Sequence, residues 1–130
     1  MTEIRLEHVS YAYDDEKILE DINLQVTSGE VVSILGPSGV GKTTLFNLIA
    51  GILEVQSGRI VLDGEENPKG RVSYMLQKDL LLEHKTVLGN IILPLLIQKV
   101  DKAEAIARAD DILATFQLTA VRDKYPHELS

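Results

Sequence analysis

Gly36, Gly41, Lys42 and Thr43 stand at the spacing G-x-x-x-x-G-K-[ST] within Gly36-Pro-Ser-Gly-Val-Gly-Lys-Thr-Thr44. That pattern suits a polyphosphate. Such an anion needs many donors within a small radius, and consecutive main-chain N–H groups in a glycine-rich turn supply them without side-chain bulk. Gly39 and Gly41 permit the unusual dihedrals of such a turn. Lys42 has the reach for β- and γ-phosphate oxygens, and the Thr43 hydroxyl is a ligand type for magnesium. The candidate cradle is therefore Gly36, Pro37, Ser38, Gly39, Val40, Gly41, Lys42, Thr43 and Thr44. Each charge-assisted hydrogen bond contributes roughly 1.5–3 kcal/mol, so a handful suffices for micromolar affinity. A chance match to the spacing in a chain of this size is roughly a one-in-a-few-hundred event at average residue frequencies.

A cradle of this kind needs a strand to deliver it and a helix to receive the anion at its N-terminus. Val31-Val-Ser-Ile-Leu35 is nearly all apolar and rich in β-branched residues, which predicts a central parallel strand covered on both faces. The apolar run Leu45 to Ala50 predicts the helix, with Gly51 at its C-terminal cap. Upstream, Ile4, Leu6 and His8 alternate with polar neighbours, as do Ile22, Leu24 and Val26, predicting strands with one wet face. The segment from Tyr11 to Lys17 reads as a turn between them. Downstream, Arg59 to Leu62 predicts a strand, Asp63-Gly64 a tight turn, and Val72 to Leu76 a second buried strand. Thr86 is placed to cap a helix to about Ile97, kinked or divided at Pro94. Asp101 with Glu104 opens a further helix to about Gln117, with Ile106, Ala109, Leu113 and Phe116 as its packing stripe. Arg122, Asp123 and Lys124 read as solvated surface. Strands lead and helices follow, so the fold class is α/β.

The 130 residues amount to one ordinary domain with room for a real core. Thirteen Lys and Arg against twenty Asp and Glu give a net charge of −7, which argues against sequence-independent binding to nucleic acid. The absence of cysteine excludes disulfides, thiolate zinc sites and a cysteine nucleophile. His8, His84 and His127 are too scattered for a metal set. The apolar stretch from Ile91 to Ile97 is far shorter than a membrane-spanning helix, and the N-terminus lacks the pattern of a signal peptide, so a cytoplasmic protein is expected.

Beyond the glycine-rich loop the sequence resembles the nucleotide-binding subunit of an ABC transporter along essentially its whole length. Val9-Ser-Tyr-Ala-Tyr13 is similar to the segment whose aromatic stacks on adenine, with Tyr13 at the matching position and Tyr11 as the alternative. The loop with Leu45-Phe-Asn-Leu-Ile-Ala-Gly51 resembles the family's Walker A region. Ser57-Gly-Arg-Ile60 with Asp63-Gly64 resembles its antiparallel β subdomain. Tyr74-Met-Leu-Gln77 resembles the strand entering the Q-loop, and Tyr125-Pro-His-Glu-Leu-Ser130 the approach to the signature motif.

The resemblance implies a P-loop NTPase core, including a partial parallel sheet, with an antiparallel β subdomain in about residues 1–85 and a helical subdomain in about 86–130. It implies ATP and Mg²⁺ as ligands, Lys42 and Gln77 in the catalytic machinery, Thr43 and Gln77 on the metal, and Ser130 against nucleotide. It implies transmembrane permease subunits, a second nucleotide-binding subunit and a solute-binding protein as partners, with the subunit peripheral on the inner face of the membrane. The general wording is that of a bacterial importer, which couples ATP hydrolysis to solute transport. The competing reading is a soluble P-loop NTPase or kinase unrelated to transport. No Asn-Lys-x-Asp guanine reader and no clustered lid arginines occur to favour it. Departures from the family pattern are Leu76, Gly89 and the lack of Walker B carboxylates and of the signature's Gly-Gly-Gln. Ile60-Val-Leu-Asp63 superficially resembles Walker B, but Gly64 after it predicts a hairpin turn. The 130 residues are accordingly expected to bind Mg-ATP and to hydrolyse it negligibly.

Overall fold

In the computed structural model, which describes residues 2–129, the chain forms two compact units, one ending at Met75 and the other beginning at Leu76. In the first, β1 (Glu3–Tyr13), β2 (Glu16–Thr27), β3 (Ser57–Leu62) and β4 (Glu65–Glu66) build one antiparallel sheet of order β2-β1-β3-β4. Helix α1 (Lys42–Ile49) lays Leu45 and Leu48 against Leu6, Val9, Leu19 and Ile60 of that sheet. The helix ends as its glycine predicts. Gly51, at φ +69°, donates to Leu48 O at 3.1 Å, and Ile52 donates to Asn47 O at 2.9 Å, closing the orphan carbonyls of the last turn.

The hairpin β1–β2 departs from simple alternation. Leu6 pairs with Leu24 and Val9 with Ile22, so residues 7 and 8 together oppose Asn23 in a β-bulge. The extra residue reverses the alternation. His8, expected on the inner face, adopts φ +52° and points to solvent against the Asp21 carboxylate at 2.7 Å, while Val9 becomes fully buried. Tyr11 to Tyr13, read as part of a turn, belong to β1; only Asp14-Asp15 reverse the chain. The Asp63-Gly64 reading holds. Both residues have positive φ (+53° and +84°) and join Leu62 to its ladder partner Glu65, as a tight two-residue hairpin requires. Asp63 spends its carboxylate locally, accepting from the Glu3 amide at 2.8 Å and facing Arg71.

The two expected central parallel strands do not form. Residues 31–35 and 72–76 run without ladder partners among the described residues, and Val31, Leu35 and Met75 are each more than nine-tenths exposed. Apolar, β-branched composition favours a pleated chain, yet a strand exists only where another strand satisfies its N–H and C=O groups. Here the sheet of the first unit is antiparallel throughout. Of the first run only Ile34 packs on the core, and of the second Tyr74 stacks on Phe46 with ring centroids 6.4 Å apart.

The second unit contains α2 (Val87–Ile97) and α3 (Lys102–Thr115), followed by 3₁₀ turns at Thr119–Val121 and Pro126–Glu128. Thr86 Oγ1 accepts from the Gly89 amide at 3.1 Å, and Asp101 Oδ2 from Ala103 at 3.0 Å, so both predicted caps are made. Pro94 lies within α2 without ending it. Helix α3 stops two residues short of expectation. Ala105, Ala109 and Leu113 are its buried stripe, whereas Phe116 is exposed. The small alanines let α3 approach Ile92 of α2 closely. Arg122 is not a solvated residue. Its guanidinium forks onto Asp110 of α3 (2.6 and 3.3 Å) and also meets Asp123 at 2.8 Å.

Candidate functional site

The loop from Gly36 to Gly41 enters α1 with Gly41 as N-cap, at φ +103° and ψ 8°. A side chain is excluded there twice over. The dihedral is left-handed, and a Cβ would stand 2.9 Å from Ile18 Cγ2, 3.1 Å from Ile18 O and 3.1 Å from Leu19 Cδ2. The end of the loop is therefore seated on β2. Gly39, at φ +82°, turns the loop into open space.

The helix begins at Lys42, three residues before the first residue expected from apolarity, so Lys42, Thr43 and Thr44 form its first turn. Their amides are orphans by construction. No amide from Ser38 to Thr44 donates a well-formed hydrogen bond to a main-chain carbonyl, while Leu45 already donates to Gly41 O at 2.9 Å. A row of N–H groups thus remains available at the positive end of the α1 dipole. The Lys42 ammonium lies over the loop and donates to Gly36 O and Pro37 O, both at 2.6 Å. It retains a third donor. Thr43 is exposed; Thr44 is packed inward, 8% exposed, and offers the site its amide alone.

Tyr13 ends β1 and is 46% exposed, its ring edge-to-face with Tyr11 at a centroid distance of 5.0 Å. Tyr11 pairs in the ladder with Leu19, one of the two β2 residues on which Gly41 sits. The sheet thus links the aromatic pair to the loop through a single rung. Gln77 is an exposed residue in a bend of the second unit, and Ser130 lies outside the described residues. Two contributors escaped sequence reasoning. Ile18 and Leu19 look like ordinary strand residues, and nothing local announces that the loop rests on them.

A free-amide turn at a helix entrance, carrying a lysine and a hydroxyl and seated on an antiparallel sheet, defines a P-loop nucleotide-binding module. Residues 19–130 match the family model described as ABC transporter, and the chain belongs to that family. The chain is 39% identical over 132 residues to the spermidine/putrescine import ATP-binding protein PotA of Aggregatibacter actinomycetemcomitans, covering 98% of this chain and 36% of that protein. It therefore spans little more than a third of that relative. Among solved structures, it superposes on an ATP-binding cassette of an ABC transporter with a TM-score of 0.83 at 27% identity, covering all of this chain and 60% of that one. A dimeric ATP-binding cassette in a post-hydrolysis state, bound to ADP and Pi, gives a TM-score of 0.78 at 26% identity, with coverage of 98% and 63%. These relatives do not favour an unrelated soluble kinase. Among the described residues, no helix is long and apolar enough to cross a membrane.

Proposed function

We propose that this chain supplies the Mg-ATP-binding element of an ABC transporter's ATP-binding subunit, one that couples ATP hydrolysis to solute import. The observation that carries the reading is the run of amides from Ser38 to Thr44 around Lys42, none of them in a well-formed main-chain hydrogen bond. This donor set fits a triphosphate: neutral N–H dipoles in number, one ammonium and one exposed hydroxyl. The amides hold the phosphate oxygens. Lys42 leaves its two carbonyls for the β- and γ-phosphates, Thr43 holds Mg²⁺, and Tyr13 carries the adenine. Magnesium, when bound, neutralises charge on the β- and γ-oxygens. Gln77, neutral and carrying a carbonyl oxygen, is assigned to the metal or to a water beside it, and Ser130 to nucleotide.

PotA is named as an import ATP-binding protein, and a solved relative is a dimer. By extension, permease subunits, a second nucleotide-binding subunit and a solute-binding protein are the partners proposed here, at the cytoplasmic face of a membrane. The division into a core with β subdomain (about 1–85) and a helical subdomain (about 86–130) belongs to the same reading.

The test is isothermal calorimetry with Mg-ATP. Lys42→Ala is expected to abolish detectable binding while leaving the far-UV circular dichroism unchanged; unaltered affinity would refute the assignment. In the same reading Asp63, a hairpin residue engaged with Glu3 and Arg71, is not assigned as a Walker B carboxylate. The same polypeptide should therefore turn over ATP far more slowly than ~1 s⁻¹, and a rate of that order would overturn this part.

A further inference from the structure

Strand β3 enters the sheet at Ser57, opposite Ser10 of β1. Two residues further along β1, the Ala12 main chain has no strand on that side. The side chain of Gln56 takes the strand's place. Ala12 N donates to Gln56 Oε1 at 2.8 Å, and Gln56 Nε2 donates to Ala12 O at 2.9 Å. A carboxamide presents a donor and an acceptor side by side, as a peptide edge does, so this pair reproduces one rung of an antiparallel ladder. It does so where the sheet is least regular. On its other edge β1 shifts register against β2 between Val9 and Tyr11 and again between Tyr11 and Ala12, just before the Asp14-Asp15 turn.

Ala12 lies between the two tyrosines, whose side chains share one face because strand residues alternate. Fixing the Ala12 peptide edge fixes both rings relative to the rung Tyr11–Leu19, on which Gly41 of the phosphate loop rests. We infer that Gln56 is a positioning residue for nucleotide binding. It holds Tyr13 at the distance from the phosphate loop that lets one ligand engage both, an inference resting on the assignment of Tyr13 to adenine. A side chain that merely stitches the sheet would affect every ligand of the loop alike. A residue that presents the aromatic would affect only ligands that carry a base.

The experiment compares Mg-ATP with magnesium and inorganic tripolyphosphate by calorimetry, for the unaltered protein and for Tyr13→Ala, Gln56→Leu and Gln56→Glu. Tyr13→Ala should weaken Mg-ATP by roughly five- to hundredfold, the range of base–aromatic stacking, and leave tripolyphosphate unchanged. Gln56→Leu should show the same selectivity at roughly two- to tenfold, the effect of ordering one side chain afresh on binding. Gln56→Glu, which keeps the acceptor for Ala12 N but sets a carboxylate against Ala12 O, should match it and decides the matter if the leucine variant fails to fold. Parallel losses on both ligands, or no loss on either, with Tyr13→Ala still selective, would overturn the role of Gln56 and leave that of Tyr13 standing. Tyr13→Ala without effect on Mg-ATP would remove the stacking assignment itself, and the proposal with it.

Discussion

Replacing Gly41 by alanine should destabilise the first unit far more than the same change at Gly39, and the difference measures how firmly the loop is seated. At Gly41 two costs combine. A non-glycine residue in the left-handed region costs roughly 1–2 kcal/mol, and φ is +103° there. The new methyl would also stand at 2.9 to 3.1 Å from Ile18 Cγ2, Ile18 O and Leu19 Cδ2. One of the three is main chain, which has nowhere to go, so an overpacking cost of roughly 1–3 kcal/mol is added. At Gly39, with φ +82° and nothing within 4 Å, only the first cost applies. The expected losses are therefore about 2–5 kcal/mol for Gly41→Ala and about 1–2 kcal/mol for Gly39→Ala. Urea denaturation followed by tyrosine fluorescence reads the difference. With a slope of roughly 1–3 kcal/mol/M, the Gly41→Ala midpoint should fall about 1 M further than that of Gly39→Ala. Equal midpoints would mean that the loop does not rest on β2 as described, and the link from loop to Tyr13 through Leu19 would fail.

Two further outcomes are expected. Hydrogen bonds from Arg59 to Glu7, from Arg122 to Asp110 and between His8 and Asp21 hold these three carboxyls below their ordinary range. A depressed folded value stabilises the fold above the ordinary carboxylate pKa and loses that contribution as pH falls through it. Stability should therefore decline between roughly pH 5 and pH 3, and Glu7→Gln with Asp110→Asn should flatten that limb in urea titrations at each pH. Arg122→Lys removes a fork that an ammonium cannot reproduce. Val87 and Leu88, whose amides donate to Lys124 O and Arg122 O, should then exchange hydrogen several-fold faster by NMR, while Gly89, held by Thr86 Oγ1, should not; unchanged protection at Val87 and Leu88 refutes the coupling.

What could be read from sequence was what a residue does within its own few neighbours. Thr86 and Asp101 cap because a short oxygen-bearing side chain precedes a helix, Gly51 closes one because it tolerates a left-handed turn, and Asp63-Gly64 reverses a hairpin for the same reason. The glycine-lysine-threonine spacing belongs to this class, being itself a local turn entering a helix. What could not be read depends on partners distant in sequence. Val31 to Leu35 looks like a buried strand since its side chains favour pleating, but whether it is one is decided by a ladder neighbour that its own residues do not encode. His8 looks inward-facing until a bulge of one residue inverts the alternation. The pairing of Gln56 with Ala12 spans 44 residues, and Arg122 reaches back to Asp110 in α3; each side chain looks like any exposed polar group until the fold brings the partner in.

A net charge of −7 does not by itself oppose the proposed binding of a tetra-anion. Several of the carboxylates are already engaged by cations or amides of the chain: Glu7 by Arg59, Glu65 by Arg71, Asp110 by Arg122, and Glu30 by the Thr27 amide. Exposed charges beyond about 8 Å are screened at physiological salt. The donors at the loop act at hydrogen-bond range, where a fixed N–H dipole outweighs a distant, screened carboxylate. A sequence-wide positive field attracts any polyanion, whereas main-chain amides bent around one turn accept only an anion shaped to meet several of them together. An acidic surface and a phosphate-binding loop are thus compatible in one chain.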